Sequence, residues 1–137
     1  MRKIDFQAKR LADGQWVFGS LVVQEDGTVW IGRAVRGRSA KTWKQVDPKT
    51  VGQFTGFVDA EGKPIFEGDI LLVTDEWGGH YITPVTEEGG AMVVDVEGLD
   101  YDETAIGWAI DAWRNMGSNW RVVGNIHDGA SIPDEVI

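Results

Sequence analysis

Along most of the chain apolar and polar residues alternate with a period of two, the pattern of strands whose successive side chains face opposite ways. The run GQWVFGSLVV around Trp16 is rich in β-branched and aromatic residues, and QEDGTVWIGRAV continues it. Asp26-Gly27 between them predicts a hairpin turn, because glycine takes positive φ without steric cost. Gly37 and Ser39 mark a further turn, so Lys41 to Val46 is expected to return as a strand that ends at Asp47-Pro48. The residue before a proline avoids helical angles. A second hairpin-like unit follows as TVGQFTGFVD, the turn AEGK and PIFEGDILLV, with a bend at Gly68-Asp69 before the apolar strand Ile70 to Val73.

From Asp75 to Gly98 the pattern loosens. Two Gly-Gly pairs and Pro84 punctuate short extended runs, His80 to Val85 and Ala91 to Val96. A single segment changes period. In DETAIGWAIDAWRNMG, Asp102 to Gly117, the residues Ile106, Ala109, Ile110 and Trp113 fall at i, i+3, i+4 and i+7, which predicts one short helix near 102–116. Asp102 or Thr104 is placed to cap its start and Gly117 to end it, while Gly107 inside it costs ~1 kcal/mol relative to alanine. A last strand is expected in NWRVVGNIH, with DGASIPDEVI as a tail.

Composition narrows the chemistry. The 137 residues suffice for one domain, or for two small lobes. There is no cysteine, which excludes disulfides, thiol nucleophiles and thiolate zinc sites. The N-terminus is basic but lacks the apolar run of a signal peptide. No stretch approaches the ~18 apolar residues of a membrane span, so a cytoplasmic location without membrane association is expected. The seven tryptophans have two readings: filling the core of a small β-protein, or forming an exposed stacking face. Net charge is −9, unevenly spread: residues 1–50 hold ten Lys or Arg against five Asp or Glu, and residues 51–137 hold three against seventeen. Such polarity allows head-to-tail docking with a second copy, or steering onto a charged partner.

VDPKTVGQFTGFVDAEGKPIFEGDILLV, Val46 to Val73, resembles the signature of the YopX family of phage and prophage proteins. RKIDFQAKRLADGQWVFGSL resembles that family's opening, and VVGNIHD its closing strand. Residues 75–118 match no family pattern, and the ending GASIPDEVI departs from the family's Asn-Pro-Glu-Leu type. The resemblance implies one YopX-like domain, mainly β, with possible lobes at 1–56 (β hairpins, basic) and 57–137 (an SH3-like barrel, acidic). It implies no activity, because the family is of unknown function, and no catalytic or binding residues to carry over. Gly52, Gly56, Gly62 and Gly68 are then expected where the backbone reverses or is closely approached.

Enzyme chemistry finds little support. His80 and His127 are the only imidazoles, and Asp128 beside His127 would point to the opposite face of a strand. Ser20, Ser39, Ser118 and Ser131 lack a Gly-x-Ser-x-Gly setting. Glu67 and Asp69, two apart, pose a choice between a carboxylate pair and acids that satisfy backbone N–H groups in a bend. The run DVEGLDYDE fails as a calcium loop: with Asp100, Asp102 and Thr104 as first ligands, Ala105 falls where glycine is needed and Asp111 where glutamate is needed. No cofactor or metal site is expected.

Three surface readings remain. The expected function is a non-catalytic phage or prophage accessory module that recognises an unidentified host or phage protein. An alternative is nucleic-acid binding, with Arg33, Arg36, Arg38, Lys41 and Lys44 meeting phosphates while Trp43 stacks on a base. On a strand, Lys41, Trp43 and Gln45 would share one face, with Thr42 and Lys44 on the other. A further alternative is an acidic decoy, in which Asp95, Glu97, Asp100, Asp102 and Glu103 imitate a duplex carrying about one charge per 1.7 Å.

Overall fold

The computed structural model describes residues 4–33, 43–95 and 104–130. The chain divides into two compact units, Met1–Gly56 and Phe57–Ile137. It is mainly β with a single α-helix among the described residues.

The first unit is an antiparallel sheet of β1 (Phe6–Lys9), β2 (Trp16–Val23), β3 (Val29–Gly32), β4 (Lys44–Val46) and β5 (Gly52–Val58), ordered β4-β3-β2-β1-β5. β5 runs on into the second unit. The hairpin at Asp26-Gly27 forms as expected, with Gly27 at φ 86°. Because Val23 pairs with Val29, the loop spans Gln24 to Thr28 rather than two residues. Asp26 accepts hydrogen bonds there from the Thr28 N–H (2.9 Å) and hydroxyl (2.6 Å). β4 ends at Val46, and Asp47-Pro48 opens a single 3-10 turn in which the Asp47 carboxylate accepts from the Lys49 N–H at 3.0 Å. Alternation on the sheet buries Ala8, Val29, Ile31 and Val46 on one face, packed by Phe6, Val17, Leu21 and Val51.

The second unit contains β6 (Pro64–Phe66), β7 (Asp69–Thr74), β8 (His80–Pro84), β9 (Thr86–Glu88), β10 (Ala91–Val94), β11 (Thr104–Ala105), α1 (Ile106–Asn115), β12 (Asn119–Asn125) and β13 (Gly129–Ala130). β6 lies beside the end of β5, and two sheets follow, β13-β12-β7-β8 and β11-β10-β9. Gly89 and Gly90, at φ 58° and 89°, close β9 onto β10 in a two-residue loop, the φ pair that a type I′ hairpin requires. The core gathers Leu71 and Val73 of β7, Val94 of β10, Trp120 of β12 and the predicted helical stripe Ile106, Ala109, Ile110 and Trp113.

The helix is shorter than its sequence pattern. It starts at Ile106 after Ala105, with no side-chain cap, because Thr104 is committed to pairing with Val94. Asp102 lies outside the described residues. Its end is as expected: Gly117 at φ 72° follows Met116, and the N–H groups of Gly117 and Ser118 return to Arg114 and Trp113, the paired bonds of a Schellman motif. The expected tail is partly structured, since Gly129–Ala130 pairs back onto Gly124–Asn125. Of the four glycines singled out, Gly56, Gly62 and Gly68 have φ near 90°. Gly52 instead sits in the β1–β5 ladder opposite Gln7.

Candidate functional site

Of the basic segment, the described residues include Arg33, Trp43 and Lys44; Arg36, Arg38 and Lys41 lie outside them. Arg33 follows β3 and pairs with the buried carboxylate of Asp5 at 3.4 Å. Trp43 stands half-buried just before β4, and Lys44 begins that strand opposite Ile31. Gln45, on the face expected to carry Trp43, pairs with Trp30. Of the acidic set, Asp95 is exposed and its N–H donates to the Thr83 hydroxyl at 2.8 Å. Glu97, Asp100, Asp102 and Glu103 lie outside the described residues.

Of Glu67 and Asp69, Asp69 serves the bend. Asp69 is buried, with one carboxylate oxygen accepting from the Phe66 N–H at 2.8 Å and the other from the Asn125 side-chain amide at 3.1 Å. Glu67 is half-buried, and this burial, followed by the charge of Glu87, pushes its carboxyl above the usual range. His80 lies 3.1 Å from the Thr74 hydroxyl through Nδ1, and the exposed His127 donates its backbone N–H to Asn125 Oδ1. Among the described residues no group of three or more His, Cys, Asp or Glu gathers as a metal site. Nor is any described helix long and apolar enough to cross a membrane.

The tryptophans divide between the two readings. Trp113 and Trp120 are buried, with ring centroids 6.4 Å apart. Trp16, Trp30 and Trp43 are half-buried. Trp77 and Trp108 are 82% and 53% exposed.

Trp77 occupies the tip of the β7–β8 hairpin. The Asp75 carboxylate accepts from the N–H groups of Trp77 (2.9 Å) and Gly79 (2.7 Å) and from the Tyr81 hydroxyl (3.1 Å). These bonds, the Gly79 amide first, hold the Asp75 carboxyl below its usual range. A Cβ on Gly79 would meet Asp75 Oδ2 at 2.5 Å, so a larger residue there would have to displace the carboxylate. The end of α1 lies near this loop, since a Cβ on Gly117 would be 3.9 Å from Glu76 Oε2. The fold thus presents a large apolar side chain on a loop tied down at three points.

Among the described residues of the first unit, Val22, Gln24, Trp30 and Trp43 line a groove of about 290 Å³. Val22 pairs with Trp30 across β2–β3. The Trp30 indole donates its N–H to the Thr28 hydroxyl at 2.9 Å, which fixes the orientation of that half-buried ring.

A family model described as YopX protein matches residues 6–131. The chain belongs to the YopX family. The match takes in Val46 to Val73 and Val122 to Asp128, the stretches that carried the likeness in sequence, and also residues 75–118, which had shown no family pattern there. Among solved structures, the crystal structure of protein yopX from Bacillus subtilis is 20% identical, with a TM-score of 0.59 over 93% of this chain and 94% of that one. At that identity the likeness concerns the fold. No curated protein matches the chain.

Neither the Trp77 tip nor the groove emerged from motif reading. The signal for the first was present as D-E-W-G-G: an aspartate two residues before a tryptophan and four before a glycine is a side-chain-capped loop. The groove had no local signal, because Val22, Trp30 and Trp43 come from three separate segments.

Proposed function

We propose that this chain is a phage- or prophage-type accessory protein of the cytoplasm that acts by surface recognition and not by catalysis, with the Phe57–Ile137 unit as an SH3-like module. The observation that carries this reading is the pair of exposed tryptophans, Trp77 and Trp108. Burying either against a partner removes a large apolar surface from water, and tryptophan is the residue type most enriched in interface hot spots. The acidic balance of residues 51–137 favours a partner with a basic face.

The test is affinity capture from bacterial lysate with the native chain and with Trp108→Ala and Trp77→Ala, with and without nuclease, read by mass spectrometry and nucleic-acid recovery. A protein captured by the native chain, resistant to nuclease and lost with either variant, is the expected result. Capture of nothing that depends on these side chains sinks the reading.

A second reading, nucleic-acid binding through Arg33, Arg36, Arg38, Lys41, Trp43 and Lys44, draws on the half-exposed Trp43 beside Lys44. It requires recovered nucleic acid. Affinity should then fall, and its salt dependence become shallower, when Arg33, Arg36 and Arg38 become Ala.

A further inference from the structure

In the first unit aliphatic side chains fill the inside and aromatic rings stand outside. Its first four strands close on themselves. β4 returns to β1 through Leu11 N–H to Gln45 O (3.0 Å), Asp47 N–H to Lys9 O (2.9 Å) and a bridge between Arg10 and Val46. The face that packs inward is aliphatic apart from Phe6. Alternation therefore sends Trp16 and Phe18 of β2, and Trp30 of β3, to the outer face. Phe18 is 50% exposed there. Trp16 and Phe18 are two residues apart on one strand, ~6.8 Å, an interval that adjacent bases of an extended single strand can span.

Cations frame these two rings. Lys9 pairs with Trp16 across β1–β2, its ammonium 5.7 Å from the ring centroid. Arg33 reaches the same face from β3. It follows Gly32, which pairs with Ser20, two residues beyond Phe18, and its guanidinium lies 3.4 Å from the Asp5 carboxylate. Asp5 precedes Gln7, the partner of Phe18, by two residues and so shares the outer face. The Asp5 side chain is 8% exposed and that of Arg33 is 55%, so a buried acid anchors a cation that stays accessible.

The described acids near the two rings are engaged. Asp13 in the β1–β2 turn pairs with Arg10, and Asp47 caps its own 3-10 turn through the Lys49 N–H. Glu25 and Asp26 lie past Val23, the end of β2, which is roughly 17 Å along the strand from Phe18.

We propose that this outer face binds single-stranded nucleic acid, with Trp16 and Phe18 stacking on successive bases and Lys9 and Arg33 meeting the phosphates. The inference rests on the nucleic-acid reading above and names its ligand and its stacking residues. A duplex keeps its base faces within its own stack, so it has nothing to offer the two rings. Two phosphate contacts contribute a slope of about −1.4 in log K against log salt.

The experiment is fluorescence anisotropy of the purified full chain with a labelled oligothymidylate of about 15 nucleotides and with a DNA duplex of the same length. The native chain should bind the single strand and favour it over the duplex by at least roughly tenfold. Phe18→Ala and Phe18→Leu should each weaken binding roughly tenfold, because stacking needs a π-face and not only bulk, while Phe18→Tyr retains it. Lys9→Gln should reduce the salt slope by about 0.7. Circular dichroism and thermal melting check that each variant folds. Phe18→Leu keeps the apolar bulk at a half-exposed position and carries the test if Phe18→Ala does not fold. Absence of binding to either probe at up to about 100 µM protein overturns this inference and the nucleic-acid reading together. Binding that survives Phe18→Leu overturns this inference alone, and its loss with Arg36→Ala and Arg38→Ala would keep the nucleic-acid reading. Duplex bound as tightly as the single strand, or more tightly, overturns the inference as well.

Discussion

At the residue scale, the second unit is tied together by a carboxylate that has no solvent. Asp59 is 3% exposed. One of its oxygens accepts from the N–H groups of Glu61 (2.9 Å) and Lys63 (2.8 Å), and the other from that of Val122 (3.0 Å). It thus closes the β5–β6 turn and fastens it to β12 at once. Removing it strands three backbone donors where water is scarce, and an unmade buried hydrogen bond costs more than a made one contributes. Asp59→Ala is expected to destabilise by about 3 kcal/mol and Asp59→Asn by about half as much, since the amide keeps one acceptor oxygen. Urea unfolding measures both, and an alanine variant as stable as the native chain would refute the assignment. The turn around Asp59 was legible as AEGK, but its burial was not. Val122 lies 63 residues away, and no local pattern records that distance.

At the element scale, α1 shows why a weak helix former occupies a helix interior. An alanine at Gly107 would gain ~1 kcal/mol of helix propensity, yet its Cβ would lie 2.8 Å from the Phe57 ring. Overpacking of this kind typically costs 1–3 kcal/mol, so Gly107→Ala is expected to be net destabilising by about 1 kcal/mol. Phe57→Leu in the same chain should make the alanine better tolerated than it is alone, and a double-mutant cycle reads the coupling. The β7–β8 tip gives a second prediction. Asp75→Ala frees the Trp77 and Gly79 amides, so their hydrogen exchange should accelerate by roughly tenfold while the core amides change little. Uniform acceleration across the unit would mean that Asp75 supports the whole fold and not the tip. The hairpin at Asp26-Gly27, the break at Gly89-Gly90, the final strand and the helical stripe were legible because turn chemistry and periodicity act over a few residues. β1 and β11 were not: each is short, and each is a strand only because another segment pairs with it, β2 and the distant β5 for β1 and β10 for β11.

At the scale of the whole molecule, charge sets the pH response. Partial burial of Glu67, with Glu87 nearby, makes the folded protein hold that proton more tightly than the unfolded chain does. A raised carboxyl favours folding while protonated, and stability is lost as pH rises from ~4.3 through the folded pKa. Repulsion among the acids of a chain with net charge −9 acts in the same direction. Asp75, Asp26 and Asp13 have the opposite sign. Gly79, Thr28 and Arg10 respectively lead in lowering them, Asp13 to about 2. Their contribution is present above ~3.9 and is lost as pH falls below it. The melting temperature should therefore peak near pH ~5. Glu67→Gln should raise it at pH 7 and leave it unchanged at pH 3, where the native glutamate is already protonated. A melting temperature that climbs steadily from pH 5 to 8, the same in both proteins, would contradict this.

By itself the sequence determined the mainly β class, the main turns, the helical stripe, the uneven charge and the family, because each depends on short-range pattern or on motifs read along the chain. Only the tertiary structure decided which tryptophans fill the core and which face water, since a tryptophan reads alike in either place. It also gave Asp69 a role in the bend, by setting its carboxylate against the Phe66 amide and Asn125. And it brought Val22, Trp30 and Trp43 to one groove, a juxtaposition made by strand register across three segments, which no single stretch of the chain contains.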